Sequence, residues 1–344
     1  MTPSPVRHSD APRILARCRE LVRPALGRAV REMHPWHAEI TAYSFGWDGN
    51  GGGQGKGVRQ ALAVLGAEAV GAPAREAVAG AVAVELIHTF SLLHDDIMDG
   101  DETRRQRATA WKAYGTGPAV LAGDALFALA VRVLAQAPGS AGPAAVRLLA
   151  AALDDLVRGQ ADDLLFEGRP WTGPDAVRPH EYRLMAERKT GALLGCAAGL
   201  GAVLGGAGRS RTDALTAAGR HLGVAFQVVD DMLGIWGDPT VTGKPVHSDL
   251  RRGKKTYPVL VALADGGPAA GRLGALLRSG TVPDDGAARR AAGLIEEAGG
   301  REAAGAEAAR QLESARACLE SAALAPEPLA ELLALLAYTA SRTG

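Results

Sequence analysis

The stretch Arg75–Asp99 combines a long apolar helical pattern with three aspartates at its end. It reads REAVAGAVAVELIHTFSLLHDDIMD, contains no proline, and repeats its apolar residues every three or four positions. That period predicts a long helix with an apolar side. Similar patterns cover Pro143–Leu165, Asp213–Leu233 and Pro326–Ala340. Because the alternation of β-branched residues that is typical of strands is nearly absent, the sequence predicts an all-α fold.

The composition is that of a soluble globular protein without a strong overall charge. The chain has 344 residues, of which 47% are hydrophobic and 22% charged, which is ordinary for a packed domain. Lys and Arg together number 38, as do Asp and Glu, so the formal net charge is zero. This balance argues against bulk attraction to nucleic acid, and we expect no nucleic-acid partner.

The positions of the Gly-, Pro- and polar-rich segments predict a single domain. Residues 1–12 are rich in Pro and Ser and are expected to form a disordered tail. Gly- and Pro-rich or polar segments at 46–57, 168–179 and 237–255 interrupt the helical patterns, but none is long enough to be a convincing domain linker. We therefore predict one large helical bundle over residues 13–344, built around a deep central cavity.

Three features predict a cytoplasmic protein without a membrane span. Cys18, Cys196 and Cys318 are far apart and form no CxxC pair, which favours a reducing compartment. The uncharged stretch Thr190–Gly208 consists mostly of Gly and Ala, whereas a membrane-spanning helix needs about 20 strongly apolar residues. We interpret it as a tightly packed interior helix. The N-terminal residues contain no apolar signal-peptide region.

The aspartates Asp95, Asp96 and Asp99 are the sharpest chemical feature. Asp95 and Asp99 are four positions apart and therefore share one helical face. Their mutual repulsion calls for a cation, and Mg²⁺ usually takes one or two carboxylates together with phosphate oxygens. The alternative is a solvated acidic helix end, and this motif alone does not decide between the two.

Basic residues flank this acidic motif. Arg104 and Arg105 follow shortly after it, and guanidinium groups can hold a diphosphate through paired hydrogen bonds. The alternative is a local ion-pair network with Asp101 and Glu102. His88 precedes Asp95 by seven positions and lies on the same helical face, although a lone helical histidine is more often a packed residue.

A second acidic pair, Asp230 and Asp231, ends another apolar helix. Gln227 lies on the same face, and the lysines Lys244 and Lys254 follow in a polar loop. Two helices that each end in aspartates can hold one diphosphate through bridging metal ions.

Two further acidic pairs, Asp154–Asp155 and Asp162–Asp163, lack a comparable basic flank. We interpret these pairs mostly as exposed helix surface.

Taken in order, these motifs resemble the polyprenyl (trans-isoprenyl) diphosphate synthase family. The resemblance implies the all-α isoprenoid synthase type of fold. The matching segments are GKGVR at Gly55–Arg59, DDIMD at Asp95–Asp99 with the arginine pair, KT at Lys189–Thr190, FQVVDD at Phe226–Asp231, GDPTVTGK at Gly237–Lys244 and SDLRRGK at Ser248–Lys254.

The sequence departs from the family pattern at four positions. Gly234 stands where the second acidic motif usually has its third aspartate. Gln106 and Ala108 replace the Gly and Pro that usually follow the arginine pair, and Gln60 stands where Pro is common. The last three changes remove no implied metal ligand or phosphate donor, whereas Gly234 weakens the outer support of the second acidic motif or leaves it to water.

The resemblance implies a condensation of isopentenyl diphosphate with an allylic diphosphate, assisted by three Mg²⁺ ions. The metal-ligand candidates are Asp95, Asp96, Asp99, Asp230 and Asp231. The candidates for isopentenyl diphosphate are Lys56, Arg59, His88, Arg104 and Arg105. Lys189, Lys244 and Lys254 are further candidates for substrate binding. Lys189 and Lys244 add positive charge at the reaction, and Thr190 and Gln227 turn oxygen dipoles toward the allylic cation.

The resemblance also carries expectations about product length and assembly. Phe90 lies five residues before Asp95 and Ser91 four residues before it. One aromatic residue followed by a small one, with no insertion in the motif, resembles the type that makes geranylgeranyl diphosphate (C20). Products of C15 and C25 are the near rivals. The family commonly forms homodimers, so a homodimer is expected.

Two other functions stay open at this stage. A class I terpene cyclase shares metal-dependent ionisation of a diphosphate, but it needs only one diphosphate site. A degenerate or regulatory subunit that keeps the fold without turnover is favoured only by Gly234 and Gln106.

Overall fold

The computed structural model describes residues 10–48, 55–239, 246–280 and 284–340, and these residues are mostly helical. The helices are α1 (Ala11–Arg31), α2 (Pro35–Ser44), α3 (Val58–Ala69), α4 (Val78–Met98), α5 (Ala110–Tyr114), α6 (Thr116–Ala135), α7 (Ala141–Gly168), α8 (Pro179–Ala186), α9 (Ala192–Leu204), α10 (Arg209–Trp236), α11 (Ser248–Arg251), α12 (Tyr257–Ala264), α13 (Pro268–Arg278), α14 (Asp285–Glu297), α15 (Gly300–Glu320) and α16 (Pro326–Ala340). A 3₁₀ turn, Ala74–Ala77, leads into α4, and a π-helical turn, Glu187–Gly191, precedes α9.

The four helical patterns of the sequence fall within α4 and its leading turn, α7, α10 and α16. The prediction of an all-α fold is therefore confirmed. One element was missed: a two-residue hairpin of β1 (Thr103–Arg104) and β2 (Arg107–Ala108), which pair antiparallel. Strands this short carry no alternating pattern in the sequence.

The first helix begins earlier than the sequence indicated. Asp10 is its N-cap residue, and Pro12 lies in its first turn, although residues 1–12 were predicted to be a tail. Proline suits this position because its fixed φ is helical and its missing N–H would have no intrahelical partner. Residues 1–9 lie outside the described part.

The chain divides into two compact units, described separately below. The first unit comprises Met1–Ala151, Leu193–Thr216 and Cys318–Leu335. The second comprises Ala152–Ala192, Ala217–Ala317 and Leu336–Gly344. The single domain expected over residues 13–344 stays a prediction.

Small residues let two helices of the first unit pack closely. A Cβ atom added at Gly66 of α3 would meet the backbone of Ala198, and one added at Gly201 of α9 would meet the backbone of Ala63. Such contacts leave no room for larger side chains, as expected of a close-packed interior. The residues of α9 are mostly buried, which confirms an interior helix as far as Leu204, whereas Gly206 and Gly208 lie exposed beyond its end.

The second unit has an apolar core that supports the end of α10. Val228 and Val229 pack with Tyr182, Met185 and Leu260 in one buried cluster. A further buried cluster surrounds Ile235. These contacts fix the face of α10 that carries Gln227, Asp230 and Asp231.

Two described stretches, Ala74–Met98 and Thr116–Ala135, are long and apolar enough to span a membrane. In their most apolar windows, 56% and 39% of the residues are buried. They form α4 and α6, which pack against each other within the first unit. Buried core helices of soluble proteins share this length and composition, so these helices are weak evidence for a span. The expected absence of a membrane span stays a prediction.

Candidate active site

A cationic cavity lies within the first unit. Its empty volume is about 1020 Å³, including space open to solvent. Guanidinium groups dominate its polar lining, which also contains two carboxylates and one imidazole. The charged and polar residues include Arg19, Arg23, Gln60, Glu85, His88, Asp96, Arg104, Arg105 and Arg107. The cavity therefore brings together three of the sequence-predicted substrate ligands, His88, Arg104 and Arg105.

Asp96 binds Arg104 at the wall of this cavity. Its Oδ1 accepts hydrogen bonds from Arg104 Nε at 2.8 Å and Nη2 at 2.6 Å. Burial raises the pKa of the Asp96 carboxyl, while Arg104 opposes that rise. The sequence offered Asp101 and Glu102 as the alternative partners of the arginine pair, but Arg104 bonds to Asp96 instead. Asp96 therefore orients Arg104 through Oδ1, and its predicted role as a metal ligand stays a prediction.

Asp95 and Asp99 occupy the end of α4 and are both half-buried. Asp95 lies in the last turn of the helix, and Asp99 is its C-cap residue. The peptide N–H of Asp99 donates to the Asp95 carbonyl oxygen at 2.8 Å. The helical turn therefore reaches Asp99, and the two carboxylates lie on one side of it.

The hairpin after α4 carries the second arginine into the cavity. Arg105 and Gln106 form its turn with φ of +50° and +63°, the left-handed conformation that favours Asn or Gly in two-residue hairpin turns. This explains why the family usually has Gly where Gln106 stands. The guanidinium of Arg105 approaches Gly55. Its Nη2 lies 3.2 Å from the place that a Cβ atom would take if residue 55 had a side chain.

His88 is an uncharged member of the cavity wall. Burial lowers the pKa of the imidazole well below its ordinary value, and Arg59, Arg105 and Arg104 lower it further. The neutral ring can still donate one hydrogen bond to a phosphate oxygen. The alternative of a histidine packed away from the site does not agree with its place in the cavity lining.

Glu85 is a cavity residue that the sequence motifs did not single out. It lies one helical turn before His88 on α4, and Gln60 donates a side-chain hydrogen bond to it. Burial raises the pKa of the Glu85 carboxyl, whereas the charges of Arg59, Arg105 and Arg19 lower it. The sequence could have pointed to Glu85 through its spacing, because a residue three positions before His88 lies on the same helical face.

Phe90 and Ser91 lie on α4 beside α6. The Phe90 ring contacts the His94 ring edge-on, with centroids 4.7 Å apart, and the Phe127 ring of α6 at 5.8 Å. The Ser91 hydroxyl donates to the His88 carbonyl oxygen at 2.9 Å. Phe90 thus belongs to an aromatic cluster with Phe127, which sequence reasoning missed.

In the second unit, Asp231 is saturated by protein donors. Its Oδ2 accepts hydrogen bonds from the Tyr182 hydroxyl and, at 2.9 Å, from the Tyr257 peptide N–H, and its Oδ1 accepts one from Gln227 Nε2 at 3.2 Å. Burial raises the pKa of Asp231 to about 7 despite these bonds. These bonds hold α10 and Gln227 in place, and the predicted metal binding of Asp231 stays a prediction.

Thr190 and Gln227, the two residues predicted to orient oxygen dipoles, are bonded to each other. The Thr190 hydroxyl donates to Gln227 Oε1 at 2.8 Å, so the chain of hydrogen bonds runs from Thr190 through Gln227 to Asp231. Thr190 lies in the π-helical turn Glu187–Gly191. Such turns are rare and occur frequently at functional sites.

The sequence indicated that the acidic pairs of α7 are mostly exposed surface. Three of the four aspartates instead bind basic side chains outside α7. Lys189 Nζ lies 2.5 Å from Asp163 Oδ2, Arg188 lies 3.1 Å from Asp162, and Arg220 binds Asp155 at 2.9 Å. Only Asp154 is fully exposed among the four aspartates. The sequence hid these pairs because their basic partners lie far along the chain. Lys189 therefore has a carboxylate partner within this unit.

Asp230 lies half-buried on α10, four residues before Gly234. A Cβ at Gly234 would collide with the carboxylate of Asp249, so Asp249 occupies the space of the missing side chain. Lys254 lies in the loop after α11 and is half-buried. Lys244 lies outside the described residues.

Among the described residues, no three His, Cys, Asp or Glu side chains converge into a ready-made metal site. Mg²⁺ does not require one, since it usually binds one or two carboxylates plus waters and substrate phosphates. Asp95 and Asp99 in the first unit offer hard oxygen donors of this kind, and so does Asp230 in the second unit. Taken separately, each set fits a magnesium ion that binds together with a diphosphate.

The described residues combine an all-α fold with a cationic cavity beside an acidic helix end. The family model for polyprenyl synthetase matches residues 47–291. The chain is similar to two proteins of Mycobacterium tuberculosis H37Rv. One is named (2E,6E)-farnesyl diphosphate synthase, at 44% identity over 96% of this chain and 92% of the relative. The other is named geranylgeranyl diphosphate synthase, at 41% identity over 92% and 91%.

Solved structures agree with this match. A polyprenyl synthetase from Streptomyces coelicolor A3(2) has a TM-score of 0.88 and 47% identity, covering 95% of this chain and 98% of its own. A polyprenyl synthase from Caulobacter crescentus CB15, complexed with calcium and isoprenyl diphosphate, has a TM-score of 0.82 and 29% identity, covering 100% of both. The chain belongs to the polyprenyl synthetase family and is a prenyltransferase.

Proposed function

We propose that this protein is a short-chain trans-prenyltransferase that joins isopentenyl diphosphate to an allylic diphosphate with Mg²⁺. The observation that carries the proposal is the cavity of the first unit, where Arg104 and Arg105 lie beside the acidic end of α4. A cyclase would not need this basic pocket in addition to its metal-bound diphosphate. The names of the two mycobacterial relatives support the same substrate class.

Two motifs are proposed to hold the allylic diphosphate. Asp95 and Asp99 on α4 and Asp230 on α10 are the proposed ligands for three Mg²⁺ ions. Bound there, the ions supply positive charge that favours departure of pyrophosphate. Lys189 and Lys244 add charge for the same leaving group. Breaking the C–O bond leaves an allylic cation on the substrate.

The oxygen atoms of Thr190 and Gln227 are proposed to stabilise that cation. Their mutual hydrogen bond and the bond from Gln227 to Asp231 fix both side chains before the substrate arrives. Dipoles that are already oriented need no rearrangement as charge develops, which is usually the largest electrostatic contribution to catalysis. The apolar side chains of the fold exclude water that would otherwise capture the cation.

Isopentenyl diphosphate is proposed to bind in the cationic cavity. Its diphosphate is held by Lys56, Arg59, His88, Arg104 and Arg105, and Lys254 is a further substrate-binding candidate. The double bond attacks the allylic cation, a new C–C bond forms, and a proton is lost to the released pyrophosphate. The orientation of Arg104 by Asp96 fixes one of these donors in advance.

For the product we propose geranylgeranyl diphosphate, with farnesyl diphosphate as the nearest rival. The two mycobacterial relatives bear these two names. The single aromatic Phe90 followed by Ser91 supports the C20 product. The contact between Phe90 and Phe127 supports a role for the aromatic cluster in limiting the pocket.

A homodimer is proposed because the family that this chain resembles commonly forms one. Two large apolar side chains of α6, Leu121 at 50% and Phe127 at 39% exposure, are candidates for its interface. Light scattering of the purified enzyme measures the mass. A monomer at micromolar concentration would contradict the proposal.

The direct test of the function is product analysis. Dimethylallyl, geranyl and farnesyl diphosphates are each supplied with isopentenyl diphosphate and Mg²⁺. The products are separated by chromatography, and their masses are measured by mass spectrometry. We expect a C20 diphosphate from all three. Release of a hydrocarbon without isopentenyl diphosphate would favour the cyclase, and no turnover would favour the degenerate subunit.

A further inference from the structure

Two arginines of the first helix line the cationic cavity, although neither belongs to a motif of the sequence. Arg19 and Arg23 are four residues apart on α1 and both border the space that Arg104 and Arg105 also border. Arg19 is half-buried, whereas Arg23 is exposed. The first helix therefore adds positive charge to the pocket that we propose for isopentenyl diphosphate.

Arg19 also fixes the backbone that carries Lys56. Its Nη2 donates a hydrogen bond to the Lys56 carbonyl oxygen at 3.1 Å. Its Nε lies 3.6 Å from the position of an added Cβ at Gly57, the left-handed N-cap residue of α3. Lys56 therefore sits on a short segment held on one side by α1 and continued on the other by α3.

The charge of Arg19 has a counterpart in the same cavity. Glu85 lines the wall, and the positive charge of Arg19 acts on its buried carboxyl together with Arg59 and Arg105. Since like charges crowded around an empty anion pocket repel one another, a shared carboxylate helps to keep the guanidiniums together. Arg19 is thus linked both to the Lys56 backbone and to the charge balance of the pocket.

We propose that Arg19 is a positioning residue for isopentenyl diphosphate: by holding the Lys56 carbonyl, it sets where the Lys56 ammonium meets the diphosphate. This inference rests on the proposed function. It predicts an effect on one substrate only, because the allylic diphosphate is assigned to the acidic motifs.

The test compares the Arg19→Ala and Arg19→Lys variants with Arg13→Ala. Arg13 is exposed on the same helix and is absent from the described lining of the cavity. In Arg19→Ala, we expect KM for isopentenyl diphosphate to rise about tenfold or more, because a misplaced Lys56 ammonium loses a hydrogen bond between charged groups to the diphosphate. KM for the allylic substrate should stay within about twofold. Arg19→Lys keeps a charged donor and should restore part of the loss.

Binding of isopentenyl diphosphate alone, measured by calorimetry, gives the same comparison without turnover. An unchanged affinity in Arg19→Ala, or an equal rise in both KM values, overturns the proposal. If Arg19→Ala does not fold, the Arg19→Lys variant is used instead. An equal rise of KM for both substrates in that variant overturns the proposal as well. Absence of condensation by the unmodified enzyme would refute the proposed function instead, while the calorimetric comparison would still judge Arg19.

Discussion

Gly234 faces the carboxylate of Asp249, which fills the space that a side chain at position 234 would need. Position 234 is where related sequences usually place a third aspartate. Asp249 lies on α11, and its carboxylate is the nearest group to the place that a Cβ at position 234 would take. The absence of a side chain at Gly234 therefore lets α11 approach α10 closely.

Restoring the family residue should do harm in this protein. In Gly234→Asp, the new carboxylate meets Asp249, and two like charges so close cannot both ionise without cost. We expect a loss of stability of about 1–3 kcal/mol and lower activity, measured by denaturant unfolding and the condensation assay. Combining it with Asp249→Asn should recover part of the stability. Higher activity of Gly234→Asp alone would contradict this account.

Tyr182 should stabilise the second unit through Asp231. The variant Tyr182→Phe removes the hydroxyl donor from a buried carboxylate, which should cost about 1–3 kcal/mol. The matched control is Tyr257→Phe, because Tyr257 reaches Asp231 through its peptide N–H and not through its ring. Equal losses of unfolding free energy in the two variants would argue against the hydroxyl bond.

His88 should make the protein sensitive to acid. The pKa of the folded imidazole lies well below the ordinary value of 6.5, so below that value the unfolded chain binds a proton that the folded chain does not. Stability from this group is therefore present above the ordinary pKa and is lost as the pH falls below it. His88→Gln should lose correspondingly less between about pH 7 and about pH 5. Parallel pH profiles of unfolding free energy would refute the shift.

Phe90 should limit the length of the product. Phe90→Ala removes a ring that packs on His94 and Phe127, and the added space should accept a longer chain. Mass spectrometry of the products should show a shift beyond C20, whereas Ser91→Ala should change little because its hydroxyl bonds back to the helix. An unchanged product length would show that Phe90 is not the floor of the pocket.

Much of the fold could be predicted from the sequence because helical periodicity is a local signal. The four long patterns reappear in α4, α7, α10 and α16, and the Gly- and Ala-rich α9 is buried as expected. The hairpin at 103–108 could not be found in this way. Its two-residue strands lack a pattern, and its turn uses Arg105 and Gln106 where Asn or Gly would have been a signal.

The sequence predicted which residues belong to the candidate site, but not which of them form hydrogen bonds or ion pairs with one another. His88, Arg104 and Arg105 line one cavity, as the motifs indicated. Spacing could not show that Asp96 accepts hydrogen bonds from Arg104, or that Asp231 accepts three hydrogen bonds from protein donors. Partners such as Arg19 lie on other helices, and long-range pairing leaves no local mark.

The proposed condensation depends on Mg²⁺ held by the aspartates Asp95 and Asp230. The most direct measurement is the rate of condensation of isopentenyl diphosphate with farnesyl diphosphate in the Asp95→Asn and Asp230→Asn variants, with Asp154→Asn as the exposed control. We predict about a hundredfold or greater loss of kcat in the first two, no change in the control, and loss of activity with EDTA that Mg²⁺ restores. Full activity of either Asp95→Asn or Asp230→Asn, or activity that persists in EDTA, would contradict the account.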